Sequence, residues 1–148
     1  SNMLTIVDFG LCKCFRQKSG KHILFRNKKG LLGTPRYMSL NCHDGMELSR
    51  RDDIESLLYM VLFMQRPELP WQKVNIRDKK KKYAKIAAIK RHSAATGTLF
   101  QHTPPPFADA YHMVRQMKFD ARPDYDNIGH LVRQSLETAA QTEKNQTK

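Results

Sequence analysis

From Asp52 onward the hydrophobic positions recur at helical spacing, so the pattern predicts helices. Ile54, Leu57, Leu58, Val61 and Leu62 mark the first, and Asp52-Asp53 supply a capping side chain and negative charge at its start. Tyr59, Met60, Phe63 and Met64 are apolar as well, so this helix is expected to be greasy nearly all round and to form the buried centre. Pro67 and Pro70 are expected to end it. A second helix is predicted over Ile76 to Arg91, with Lys79 to Lys82 in its first half and Tyr83, Ile86 and Ala87 inward, followed by a loop over 92–103. Thr103-Pro104 signals the next start, with Phe107, Ala110, Tyr111, Val114 and Met117 as its apolar stripe. Pro123 opens the last helix, which turns Tyr125, Ile128, Leu131, Val132 and Leu136 inward. The domain is expected to span 1–138, with 139–148 a polar, disordered tail.

The first third reads differently. Met3-Leu4-Thr5-Ile6-Val7 is an apolar, β-branched run that predicts a short strand, ended by Asp8-Phe9-Gly10. A lone strand has no partner, so its pairing strand is expected from further upstream or from another molecule. The opening Ser1-Asn2-Met3 fits the same expectation of a missing upstream part. Residues 16–36 are polar and basic, with Gly20, Gly30 and Gly33 marking turns, and read as one long irregular loop.

Composition narrows the class without naming a function. With 148 residues, 40% hydrophobic and 27% charged, the chain fits one globular domain. No apolar stretch reaches the ~18 to 20 residues that cross a bilayer, so no membrane partner is expected. Cys12, Cys14 and Cys42 are too few and oddly numbered for a disulfide framework, which points to an intracellular location, cytoplasmic or nuclear. Their Cys-x-Cys spacing, even with His22 and His43, matches no usual zinc pattern, so free thiols are the expectation. The net charge of +12 implies an acidic partner: nucleic acid, membrane surface, or an acidic or phosphorylated protein.

Motifs choose among these. Asp8-Phe9-Gly10 closes an apolar run, and Gly33-Thr34-Pro35-Arg36-Tyr37 follows at the distance of a kinase activation segment. Next stand Ser39-Leu40-Asn41, then Ser49 to Leu57 (Ser-Arg-Arg-Asp-Asp-Ile-Glu-Ser-Leu), Leu69-Pro70-Trp71-Gln72, Lys82-Tyr83, Phe119-Asp120 and Arg122-Pro123-Asp124-Tyr125. In this order and spacing the chain resembles the casein kinase 1 family of serine/threonine protein kinases, whose members carry Ser-Ile-Asn where most kinases have Ala-Pro-Glu. The resemblance implies a mainly α fold: a partial protein-kinase C-terminal lobe with a short N-terminal β-strand and a long activation-segment loop.

The resemblance also implies roles. Asp8 matches the aspartate that chelates the Mg²⁺ bridging the ATP phosphates, and a hard carboxylate suits that cation. Thr34 matches a threonine that helps position the catalytic aspartate, and Asp53 an aspartate that anchors the catalytic loop from the start of the buried helix. Arg36, Lys82 and Lys29 match a basic site that reads acidic or already phosphorylated protein substrates, sound chemistry for a phosphate dianion. Lys79, Lys80 and Lys81 read instead as a solvated face. Lys73 departs from the family, which often has glycine there, and leaves the shape of the anion site open.

The glycine-rich loop, the strand lysine with its helix glutamate, and the catalytic-loop base and asparagine are absent from these 148 residues. The expectation is a kinase part, its N-terminal lobe missing, that is inactive and binds nucleotide weakly by itself. The alternative is a non-catalytic substrate-binding decoy or scaffold. Nucleic acid ranks last, because the basic helix lacks interleaved surface aromatics and any recognised module.

Overall fold

The computed structural model describes residue 3, residues 5–66 and residues 68–146, and it is mainly helical. Leu40–His43 form a single turn, α1, started by Ser39, whose hydroxyl accepts from the Cys42 amide at 3.1 Å. Helix α2 runs Arg50–Gln65, and the Asp52 carboxylate reaches back to the Ser49 amide at 2.9 Å. Pro67 lies outside the described residues, and α2 has ended before it.

Helix α3 spans Lys79–Ala95. Its start is three residues later than the spacing suggested, because Asp78 caps it by accepting from the Lys81 amide at 2.7 Å. It also continues through the first four residues of the expected 92–103 loop, before Gly97 at φ 74° turns the chain into a 3₁₀ turn over Thr98–Phe100. Helix α4 is Pro105–Gln116, with proline at its first position where no amide is needed. Helix α5 covers Tyr125–Gln146, two residues past Pro123, with the Asp124 carboxylate accepting from the Asn127 amide at 3.1 Å. Its helical form continues beyond Ala139, where a disordered tail was expected.

The core gathers Leu58, Tyr59 and Leu62 of α2, Leu69 and Trp71 of the following turn, Ile86 of α3, Leu99, four residues of α4 and Ile128 of α5. Burying a side chain the size of Leu or Phe in it contributes about 1.5–3 kcal/mol. Helix α4 packs on both α2 and α5, and α1 packs on α2 and α3. The expectation that α2 is buried all round needs correcting. Leu57 is 50% exposed and Met64 70%, because the described elements cover only one side of it. Ile54, Leu57 and Val61 instead form one wall of an open apolar groove whose other wall is Ile128, Val132 and Leu136 of α5.

Among the described residues of the expected N-terminal strand, none is in a strand. Residues 3 and 5–9 have no regular structure, and Leu4 lies outside the described residues. The reason is the one noted above, that an extended run pairs only if another strand is there. Downstream, the chain is an irregular strap with one isolated bridge between Arg16 and His22, around a turn at Gly20. It is held to the α4–α5 connection and to α2 by aromatic contacts: the His22 and Phe25 rings lie 4.7 and 5.2 Å from Phe119, and the Arg50 guanidinium lies 4.3 Å over Phe15.

Candidate functional site

Two buried carboxylates on α2 hold the segment that follows the strap. Asp52 Oδ1 accepts from the Ser39 hydroxyl at 2.8 Å and from the Asn41 amide nitrogen at 2.9 Å. Glu55 Oε1 accepts from the Leu40 backbone amide at 2.9 Å and from the Tyr59 hydroxyl at 2.8 Å, and Oε2 from Arg115 at 2.9 Å. Every residue of Ser39-Leu40-Asn41 is thus bonded to one turn of α2. With the Tyr59 and Tyr111 hydroxyls 3.0 Å apart, the carboxylate charge is shared through a buried network. Burial first and Glu55 second push both phenols up, Tyr111 to about 12.

Upstream of this anchor the chain turns tightly. Gly33 sits at φ 87°, where a side chain is strained, and the Thr34 carbonyl accepts from the Tyr37 and Met38 amides, both at 3.1 Å. Arg36 stands on this turn. Its carbonyl accepts from the Trp71 indole at 2.9 Å, and its guanidinium lies 5.1 Å over the Phe63 ring and 5.9 Å from Tyr37. Among the described residues no carboxylate pairs with it.

The other expected anion ligands are placed differently. Lys82 is half-buried on the first turns of α3, beside Tyr83, whose ring faces His43 at 6.2 Å. Lys29 already has an acid: its ammonium is 3.4 Å from Glu47, which also takes Lys13 at 2.6 Å. The Lys13 hydrogen bond is the main reason that the Glu47 carboxyl is held below its ordinary range. Lys73 is matched by Glu68 at 2.8 Å on the open surface, a pair worth about 0–1 kcal/mol. Among the described residues neither Arg36 nor Lys82 has an ion pair, whereas Lys29 has one; of the two unmatched cations, Arg36 is the one whose backbone Trp71 pins.

Thr34 is exposed, and Asp53 lies at the edge of α2. Surrounding protein first, and the Asp52 charge second, raise the Asp53 carboxyl. Asp8 adopts φ 64°, a conformation that aspartate tolerates better than most residues, and its Oδ1 accepts from the Gly10 amide at 3.3 Å. It offers one hard oxygen donor, suited to Mg²⁺ that takes its remaining ligands from phosphates and water. Among the described residues no three His, Cys, Asp or Glu side chains converge as a metal centre, and no helix is long and apolar enough to cross a membrane.

Three residues of the site have roles that the motifs did not assign. Asp52 and Glu55 lie within the Ser49–Leu57 motif, Asp52 read only as a helix cap, and Lys90 was given no role. Yet Lys90 is 0% exposed and donates to the Pro35 carbonyl at 3.0 Å and the Met38 carbonyl at 2.6 Å. Phase was the available signal: Tyr83, Ile86 and Ala87 define an inward stripe on which Lys90 is the next position.

No family model matches the chain. Over 144 residues, 97% of its length, it is 42% identical to Casein kinase I homolog 1 of Schizosaccharomyces pombe, and it spans 32% of that protein.

Proposed function

From a chain that belongs to the casein kinase 1 family of serine/threonine protein kinases, we propose a substrate-reading part of such an enzyme. In that reading, the complete kinase moves the ATP γ-phosphate to a protein Ser or Thr near acidic or phosphorylated residues. The observation that carries it is Arg36, an unmatched guanidinium backed by Phe63 and pinned through its carbonyl by Trp71. Lys82 adds charge from α3, and Lys29 becomes available when an anion competes for it with Glu47. The work is in the cytoplasm or nucleus.

ATP and Mg²⁺ belong to the complete enzyme, where Asp8 would supply one carboxylate oxygen to the metal. Thr34 and Asp53 would steady the catalytic loop, Asp53 from the end of α2 that also carries the Asp52 anchor. By themselves these 148 residues transfer no phosphate, because they contain neither the general base nor the nucleotide clamp. A second reading, a substrate-binding decoy or scaffold, is favoured by one observation: the groups that hold the Arg36 turn, its own backbone bonds with Trp71 and Lys90, lie in this chain.

The test is a phosphotransfer assay on casein with the chain alone, paired with binding of a phosphoserine peptide. The proposal expects no turnover and binding weakened by Arg36→Ala. Turnover that Asp8→Ala abolishes would defeat the inactivity, and binding indifferent to Arg36 would defeat the substrate reading.

A further inference from the structure

Lys90 is the one fully buried lysine among the described residues, and its surroundings are unusual for a cation. No carboxylate lies within ion-pair distance among the described residues. Its ammonium instead donates to the carbonyls of Pro35 and Met38, and lies 4.5 Å from the Tyr59 ring centre and 5.0 Å from that of Trp71. His43 Nε2, at 3.4 Å, completes the shell. A buried ion without a counter-ion is costly, so structures that keep one have dipoles aimed at it.

What these dipoles belong to is the point. Pro35 and Met38 bracket Arg36, and Trp71, whose ring faces Lys90, donates to the Arg36 carbonyl itself. The backbone carbonyls of positions 35, 36 and 38 are therefore held by two side chains in cation–π contact with each other. A guanidinium that reads a phosphate in two-pronged fashion gains from such fixing, since orientation lost to a mobile turn is affinity lost.

We propose that Lys90 is the positioning residue of the anion-reading site: from inside α3 it fixes the turn that presents Arg36 to an acidic or phosphorylated substrate. This rests on the substrate reading above and adds its missing support. Burial also pushes the Lys90 amine down to about 7, offset in part by Glu55 and then Cys42.

The experiment titrates a phosphoserine peptide and its unphosphorylated counterpart into the chain, with NMR following the Arg36 Nε–Hε signal. Lys90→Met is expected to weaken phosphopeptide binding by about tenfold and to shift the Arg36 signal, with α4 and α5 amides unmoved. In an Arg36→Ala background the same change should cost nothing more, because Lys90 acts through Arg36. Undiminished binding by folded Lys90→Met overturns the proposal, as does a loss that adds in full to that of Arg36→Ala. If Lys90→Met does not fold, the wild-type chain decides: the Lys90 Nζ signal must respond to phosphopeptide together with Arg36, and a silent Lys90 overturns the idea. A wild-type chain that does not prefer the phosphopeptide defeats the substrate reading and this proposal with it. Preference lost in Arg36→Ala but kept in Lys90→Met defeats Lys90 alone.

Discussion

The segment from Ser39 to Asn41 and the run from Thr5 to Leu11 both mix hydroxyl, apolar and polar side chains, but they end in opposite conditions. The first is buried, with its hydroxyl, amide and backbone groups bonded to Asp52 and Glu55. The second leaves Ile6 74% exposed and Phe9 66% exposed. Apolar character alone did not decide burial. The buried segment has a helix beneath it with polar partners at the right phase, and among the described residues the exposed one has no strand beside it. A binding surface can therefore stand on α2 even where the residues around Asp8 are unsupported.

The largest test of that contrast is Glu55→Ala. It removes the acceptor for Leu40, Tyr59 and Arg115 together and is expected to cost about 3–5 kcal/mol in urea or thermal unfolding. A loss below about 1 kcal/mol would break the contrast, since the anchor would then be no stronger than a surface pair.

Acid should weaken the anchored side next. Folded Lys90 titrates at about 7 and unfolded lysine near its ordinary 10.5, so between these values the unfolded chain holds the extra proton. Stability from this group therefore rises with pH through that window and is lowest below about 7. His43, lowered to about 4 by burial and then by Lys90, adds a loss of the same sign as pH falls from 6.5 toward 4. Melting followed from pH 6 to 9 should climb in the wild type and climb less in Lys90→Met; parallel curves would count against a buried amine.

Trp71→Phe keeps the ring but removes the donor to Arg36, and should cost about 1–2 kcal/mol in melting while loosening phosphopeptide binding. The smallest effect belongs to the exposed run. Phe9→Ser should change melting by no more than about 0.5 kcal/mol, and a larger drop would show that this segment packs somewhere.

Much of this was legible in the residues. The helices followed from spacing, and Ser39-Leu40-Asn41, Asp53 and Arg36 from motif order. The boundaries moved where a single cap outweighed periodicity, as Asp78 did for α3 and Asp124 for α5. The full burial of α2 failed because periodicity tells which face is apolar but not whether an element covers it. The pairing of Lys29 with Glu47 was not legible, since nothing in its neighbourhood along the chain announces an acid eighteen positions on. Lys90 hid among lysines of identical composition, and only its phase on α3 distinguished it.

The central claim is that these residues read an acidic substrate without performing chemistry. Its most direct test is to titrate the phosphoserine peptide and its unphosphorylated twin into the chain with ATP and Mg²⁺ present, following binding and phosphate transfer in one sample. The account predicts preference for the phosphopeptide, weakened by salt and by Arg36→Ala, with no transfer. Equal binding of the two peptides, or transfer by this chain alone, would contradict it.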